Sequence, residues 1–259
     1  MGGCWSKEKI YPTLFAQINH PLFQYSFFPM PREGISSQGY IPANTIHEYL
    51  VRFATEFDLM QHIRLQTRVA RVEKRQQPLG WVLETSTGHR LCCEKLIYAT
   101  GPTSNPIIPS FPQEGFDQPV VHTQSLNHHI EYIHSHVQRA TVIGAAKSSY
   151  DVVFLLLKAG KKVDWVIRES PSGPFAISAP TFLGLWSTPE HVSTRMAASF
   201  SPCIMNTNGG LYKFLQRSSV GHILTRLYWR TSTILSAQHA GYSKSPNAEM
   251  LRPHPPGYG

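Results

Sequence analysis

Acidic residues are scarce in this 259-residue chain: 16 Asp and Glu stand against 24 Lys and Arg, a net charge of +8. The shortage is sharpest beyond Ser170, where Arg195, Lys213, Arg217, Arg226, Arg230, Lys244 and Arg252 are opposed only by Glu190 and Glu249. A basic tail invites nucleic acid or acidic lipid. Here the cations are dispersed and no nucleic-acid motif accompanies them, so the expectation is a solvated basic surface and no nucleic-acid partner. Cysteine is also scarce. Cys4, Cys92, Cys93 and Cys203 form no C-x-x-C pair and no disulfide framework, which favours a reduced, cytoplasmic setting. The longest apolar run, "VVFLLL" at 152–157, is far too short for a transmembrane segment, and no signal-peptide pattern is visible. No G-x-S-x-G is present, which argues against a hydrolase built on that elbow. The histidines of "NHHIEYIHSH", His128, His129, His134 and His136, lack a zincin spacing and a nearby Cys ligand, so no metal site is expected.

What the chain does have falls into three regions. Residues 1–60 are rich in aromatics and prolines, then Ile46, Tyr49, Leu50, Phe53, Ala54 and Phe57 recur at helical spacing. This predicts an amphipathic helix with Asn44 or Thr45 as N-cap. The segments "IRLQTRVARVEKR", "GWVLETSTG" and "HRLCCEKLIYATG" read as a β-meander feeding a buried strand over Lys95 to Ala99. "PTSNPIIPSFP" then breaks regular structure.

The third region opens with "RATVIGAAKSSYDVVFLLLKAG" at 139–160. Arg139 to Ile143 is a β-branched strand, and Lys147 or Ser148 to Ala159 is a helix closed by Gly160. "KKVDWVIRES" is a second strand, completing a β-α-β crossover of about 30 residues. Beyond Ser170 the pattern weakens, with "LYKFLQRSSVGHILTRLYW" as one helical candidate.

The turn inside that unit carries the chemistry. A dinucleotide-binding turn presents backbone N–H groups to a pyrophosphate and therefore needs small residues. Against G-x-G-x-x-G/A the chain offers Gly144, Ala146 and Ser149, with Lys147 and Ser148 opening the helix. Ala146 adds a methyl where the template has glycine, and Ser149 still allows close helix packing. Arg168 lies 24 residues after Gly144, where an Arg pairs with a 2′-phosphate and an acid with a 2′-OH. It points to NADP, with Glu169 beside it as the competing signal. The alternative is a packing unit that binds nothing.

In order along the chain, "GGCW" (2–5), "NHPLFQYSFFPMP" (19–31), "YATGPTSNPIIPSFP" (98–112), "GAAKSSYD" (144–151), "WVIRESPSGP" (165–174) and "SPCIMNTNGG" (201–210) resemble segments of the flavin-containing monooxygenase family, in particular fungal FAD-dependent monooxygenases of secondary metabolism. The resemblance implies an α/β fold: a partial two-dinucleotide-binding-domain, Rossmann-like flavoprotein with a small β-meander and a helical C-terminal region. It implies FAD and NADP as cofactors, and a reduced flavin that reacts with O2 and passes one oxygen atom to a small-molecule substrate. By the same resemblance Gly3 and Trp5 line the FAD site, Val69 meets the adenine through its backbone, and Thr100 and Gly101 stand near the flavin pyrophosphate. Asn19 is the polar residue closest to the reacting oxygen. The implied division is 1–125, an incomplete FAD-binding domain; 126–170, the start of an NADP-binding βαβ domain; and 171–259, a helical and irregular segment of that domain.

Departures from the family pattern accompany the matches. The family's first strand–G-x-G-x-x-G–helix unit for FAD is not in this sequence, nor are its closing strands. Phe27 stands where the family has Asp, and two residues are missing between Leu22 and Tyr25. "FDQPVVHTQSL" keeps Phe116 and His122 of a family fingerprint but has Gln118 for its glycine and Leu126 for its aromatic. The competing expectation is therefore a catalytically inactive or truncated remnant that binds only NADPH or a partner.

Overall fold

Alternating apolar residues build a short antiparallel ladder near the N-terminus of the computed structural model, β1 (Phe15–Asn19) against β2 (Tyr40–Pro42), with Asn19 opposite Tyr40. The structure describes residues 2–101, 105–112, 114–168, 174, 177–201 and 208–252. Glu169, Cys203 and parts of three resemblance segments (102–104, 169–173 and 202–207) lie outside the described residues.

Strand β2 runs directly into helix α1 (Ala43–Glu56), so Pro42 holds the cap position and no side chain caps the helix. The expected N-cap at Asn44 or Thr45 is corrected by two to three residues, to Pro42: strand pairing fixes where the chain turns, and Pro supplies a fixed φ just before the first helical residue. The inward face of α1 buries Ile46 and Tyr49 against Ala16, Met30 and Ile41. Its outer turns carry an aromatic stack in which Phe28, Phe53 and Phe57 meet edge-on or tilted at centroid distances of 4.8–5.8 Å, a geometry worth about 0.5–1.5 kcal/mol per pair beyond burial.

The meander follows as β3 (Val69–Gln76), β4 (Leu79–Thr85) and β5 (Arg90–Cys93), antiparallel throughout. The expected buried strand over Lys95 to Ala99 is not formed. Those residues take no strand conformation, and Ile97 and Tyr98 are 89% and 81% exposed. A strand is held by its ladder, and among the described residues no neighbouring strand pairs with this segment.

A short helix, α2 (Ile130–His136), leads into β6 (Arg139–Ile143), helix α3 (Lys147–Lys158) and β7 (Lys162–Val166). Strands β6 and β7 pair in parallel, Arg139 to Lys162 through Ile143 to Val166, which is the crossover the sequence predicts. The chain leaves α3 through Ala159 and a left-handed Gly160 at φ 73. One core joins these elements: Val142, Val152, Leu155 and Leu156 pack with Leu126, Ile133 and, from far upstream, Tyr11. Each such fully buried aliphatic side chain stabilises the fold by about 1.5–3 kcal/mol.

The C-terminal region adds a hairpin, β8 (Thr181–Phe182) and β9 (Trp186–Ser187), then α4 (Thr188–Val192), α5 (Arg195–Ala198), α6 (Gly210–Arg217), α7 (Ser219–Ala240) and α8 (Pro246–Glu249). The single helix expected over 211–229 is two helices. Ser218 takes an extended conformation and its hydroxyl accepts from Gly221 N, a cap that starts α7 afresh. Gly221 lies so close to Phe214 O and Leu215 of α6 that a side chain there would overlap backbone. Among the described residues no helix is long and apolar enough to cross a membrane, and no group of three or more His, Cys, Asp or Glu is placed to hold a metal ion.

Candidate cofactor site

The turn from β6 to α3 is built around Gly144. Its φ is +122, a conformation L side chains rarely adopt, and a Cβ there would stand 2.9 Å from Ser149 Oγ. The conformation is fixed from both sides: Gly144 N donates to Val166 O at 3.0 Å, and Trp165 Nε1 donates to Gly144 O at 2.6 Å. The Tyr150 ring meets Trp165 edge-on at 4.7 Å, and burial pushes the Tyr150 phenol up to about 12. The turn is thus held by one main-chain bond, one bond from the Trp165 indole and an aromatic bracket.

Ala146 sits at the α3 cap with φ −91 and ψ 177, extended backbone open to any residue, and its side chain is exposed. The methyl that departs from the glycine template therefore causes no strain. Ser149 is buried and its N–H donates to Ala146 O at 2.9 Å, while Ser148 is exposed. The first-turn amides of a helix have no intrahelical acceptor, and the helix dipole places partial positive charge there. A glycine at positive φ followed by these amides suits a pyrophosphate, and a Cβ at Gly144 would spoil the cradle.

Lys147 opens α3 as expected, and its ammonium is engaged within the protein. Its ammonium is 2.5 Å from Asp151 Oδ2 and donates to Phe15 O of β1 at 2.6 Å. Asp151 is also approached by Tyr11 OH at 3.5 Å, the long limit of a hydrogen bond. Burial raises the Asp151 carboxyl above its ordinary range against the opposing pull of Lys147. Burial, then the Asp151 charge, raise the Tyr11 phenol as well. Arg168 lies two residues past the end of β7 with its side chain exposed.

The remaining residues divide. Asn19 ends β1, is buried, and donates from Nδ2 to Gln38 O at 2.9 Å, leaving Oδ1 buried with no partner. An orphaned acceptor of this kind is rare in a finished interior and fits a donor on a bound group. Gly3 and Trp5 form a 3-10 turn whose Trp5 O faces His47 Nδ1 at 3.0 Å, with the indole edge-on to Phe23 at 6.0 Å. Trp5 packs against the cluster of Ala16 from β1 and Ile46 and Tyr49 from α1. Val69 lies exposed on β3, and Thr100 and Gly101 lie in the exposed segment after β5. Sequence reasoning missed Tyr11 and Asp151. The Lys147–Asp151 spacing of i,i+4 was a readable helix-pair signal; Tyr11, 140 residues from Asp151, carried none.

The fold matches known flavoenzymes. The family described as pyridine nucleotide-disulphide oxidoreductase matches residues 29–182. The chain is 55% identical over 256 residues to the FAD-dependent monooxygenase DEP4 of Alternaria brassicicola, covering 98% of this chain and 44% of that protein. It is 37% identical over 267 residues to the FAD-dependent monooxygenase resA of Aspergillus sclerotiorum, covering 98% and 46%. Among solved structures, an oxidized steroid monooxygenase bound to NADP superposes with a TM-score of 0.62 at 21% identity, covering 98% of this chain and 53% of that one. The chain thus spans less than half the length of these two relatives. Its α/β architecture is that of part of a Rossmann-like flavoprotein.

Proposed function

Because the chain belongs to the pyridine nucleotide-disulphide oxidoreductase family, we propose that it works in an FAD- and NADPH-dependent monooxygenase that inserts one oxygen atom from O2 into a small organic substrate of secondary metabolism, in the cytoplasm. The names of its relatives, FAD-dependent monooxygenases, support the activity. The observation that carries the reading is the parallel β6–α3–β7 unit with Gly144 at φ +122 in its turn. FAD, when bound, supplies the oxygen chemistry and NADPH the reducing equivalents. The residues of this chain supply placement. The amides at the start of α3 receive the pyrophosphate of NADP, and Ser149 keeps the helix close to the turn. Arg168 pairs with the 2′-phosphate. On the flavin side Gly3, Trp5, Val69, Thr100 and Gly101 line the group and Asn19 Oδ1 accepts from it. The reading assigns residues 1–125 to the flavin side, 126–170 to the NADP side and 171–259 to the helical segment of the latter.

The test is a fluorescence titration of the chain with NADPH and NADH. Arg168→Ala should weaken NADPH roughly tenfold to a hundredfold, the loss of a charge-assisted phosphate contact, and leave NADH nearly unchanged. Equal losses for both dinucleotides would make Arg168 a structural residue. Failure of the parent chain to bind either one would sink the reading.

A further inference from the structure

The lysine of the glycine-rich turn does not face outward. Lys147 Nζ touches the Asp151 carboxylate within its own helix and the Phe15 carbonyl of β1, 132 residues away in sequence. The two charged side chains are 25% and 15% exposed. Tyr11, buried in the core beneath α3, presents its hydroxyl to the same carboxylate oxygen. Three segments therefore meet at one ion pair: the residues before β1, β1 itself, and the first turn and a half of α3. Phe15 begins the strand that Asn19 ends. Lys147 begins the helix whose amides follow Gly144.

We propose that Asp151 is a positioning residue: it holds the Lys147 ammonium on the Phe15 carbonyl, so the strand carrying Asn19 and the turn starting at Gly144 keep one fixed relation, and the ammonium is withheld from the dinucleotide phosphates. The second half of this statement rests on the dinucleotide reading above; the first does not. The electrostatics agree. Burial disfavours the charged form of Asp151 and Lys147 favours it, so carboxylate and ammonium depend on each other, and a partly buried pair that loses one partner leaves the other uncompensated. An ammonium already neutralised and hydrogen-bonded to a carbonyl has little left to offer an anion. A dinucleotide is then held at this turn by main-chain amides, and Lys147 transmits its docking to β1.

The test uses the 259-residue chain, NADPH titration at several salt concentrations, and amide hydrogen exchange at residues 15–19. Asp151→Asn frees the ammonium, so NADPH should bind roughly threefold to tenfold tighter with a steeper salt dependence. Adding Lys147→Met in that background should erase the gain. Both single variants should speed exchange at residues 15–19 by about tenfold or more, because the tie to β1 is lost. A tenfold or greater loss of NADPH affinity in Lys147→Met alone would overturn the proposal by making Lys147 a phosphate ligand. Unchanged exchange at residues 15–19 would overturn the tie. If Asp151→Asn does not fold, Lys147→Met decides both points by itself. Should the parent chain bind no NADPH, the dinucleotide reading fails, and exchange in the Lys147→Met chain still decides whether the tie exists.

Discussion

Replacing Gly144 by valine is expected to weaken NADPH binding at least about thirtyfold, and to do so without unfolding the chain. A β-branched residue forced to φ +122 costs on the order of 1–3 kcal/mol. Its Cβ would also press on Ser149 Oγ from 2.9 Å. The turn can relieve this only by giving up the bond from Gly144 N to Val166 O or the one from Trp165 Nε1 to Gly144 O, which moves the backbone that a pyrophosphate must approach. About 2 kcal/mol of that distortion, charged against binding, is a thirtyfold change in Kd. Ala146→Gly is the contrasting variant. Position 146 is extended and exposed, so removing its methyl should leave affinity equal or improved. Circular dichroism confirms folding and the titration reads the loss. If Gly144→Val binds NADPH like the parent, the turn is a packing device and the dinucleotide site lies elsewhere.

The two positions show why the sequence spoke clearly at this turn and less clearly around it. "RATVIG" and the apolar run after it form a local pattern, and local patterns decide the boundaries of β6, α3 and β7; the observed strand Arg139–Ile143 has the expected bounds and ends with the last of its β-branched residues, just before Gly144. Lys95 to Ala99, "KLIYA", is also an apolar run behind one cation, and it forms no strand. Its apolar side chains would be stable only against a neighbour, and composition cannot say whether a neighbour is present. The helix expected over 211–229 divides at Ser218, since a serine hydroxyl can cap as readily as it can sit inside a helix. Gly221 then lets α7 pass close over α6.

The site follows the same division. The turn through Gly144, Ala146 and Ser149 was legible because its residues are nearly contiguous and Gly144, at φ +122, answers a backbone requirement. Lys147 was legible as the opening of the helix, but the bonds its ammonium makes were not. Position in a motif says where a side chain starts, whereas its partner, Phe15 O, comes from a distant strand. Asn19 was named through family resemblance alone, and the structure adds a physical reason to keep it: a buried Oδ1 without a partner. The gain in that case is from a name to an atom. An amide oxygen can only accept, so whatever meets it must donate.

Ile46→Ala should produce the largest loss of stability of any single truncation in the N-terminal region, about 2–5 kcal/mol. Ile46 and Ile41 are both 0% exposed and lie with Ala16, Met30 and Tyr49 in one cluster. The alanine would leave a void between α1 and the β1–β2 ladder that neighbouring backbone cannot readily fill, because α1 begins immediately at the end of β2. The effect should reach Asn19. Its strand pairs with Tyr40 and its side chain donates to Gln38 O, both on the segment that Ile41 anchors. Amide exchange over residues 15–19 and 38–42 should therefore accelerate together, alongside the fall in the denaturation midpoint. Val51→Ala, on the open face of the same helix at 38% exposure, should change stability by no more than about 0.5 kcal/mol. A loss below about 1 kcal/mol for Ile46→Ala in a denaturant titration would mean that α1 is not the support of the Asn19 strand, and the orphaned Oδ1 would lose its claim to a fixed position.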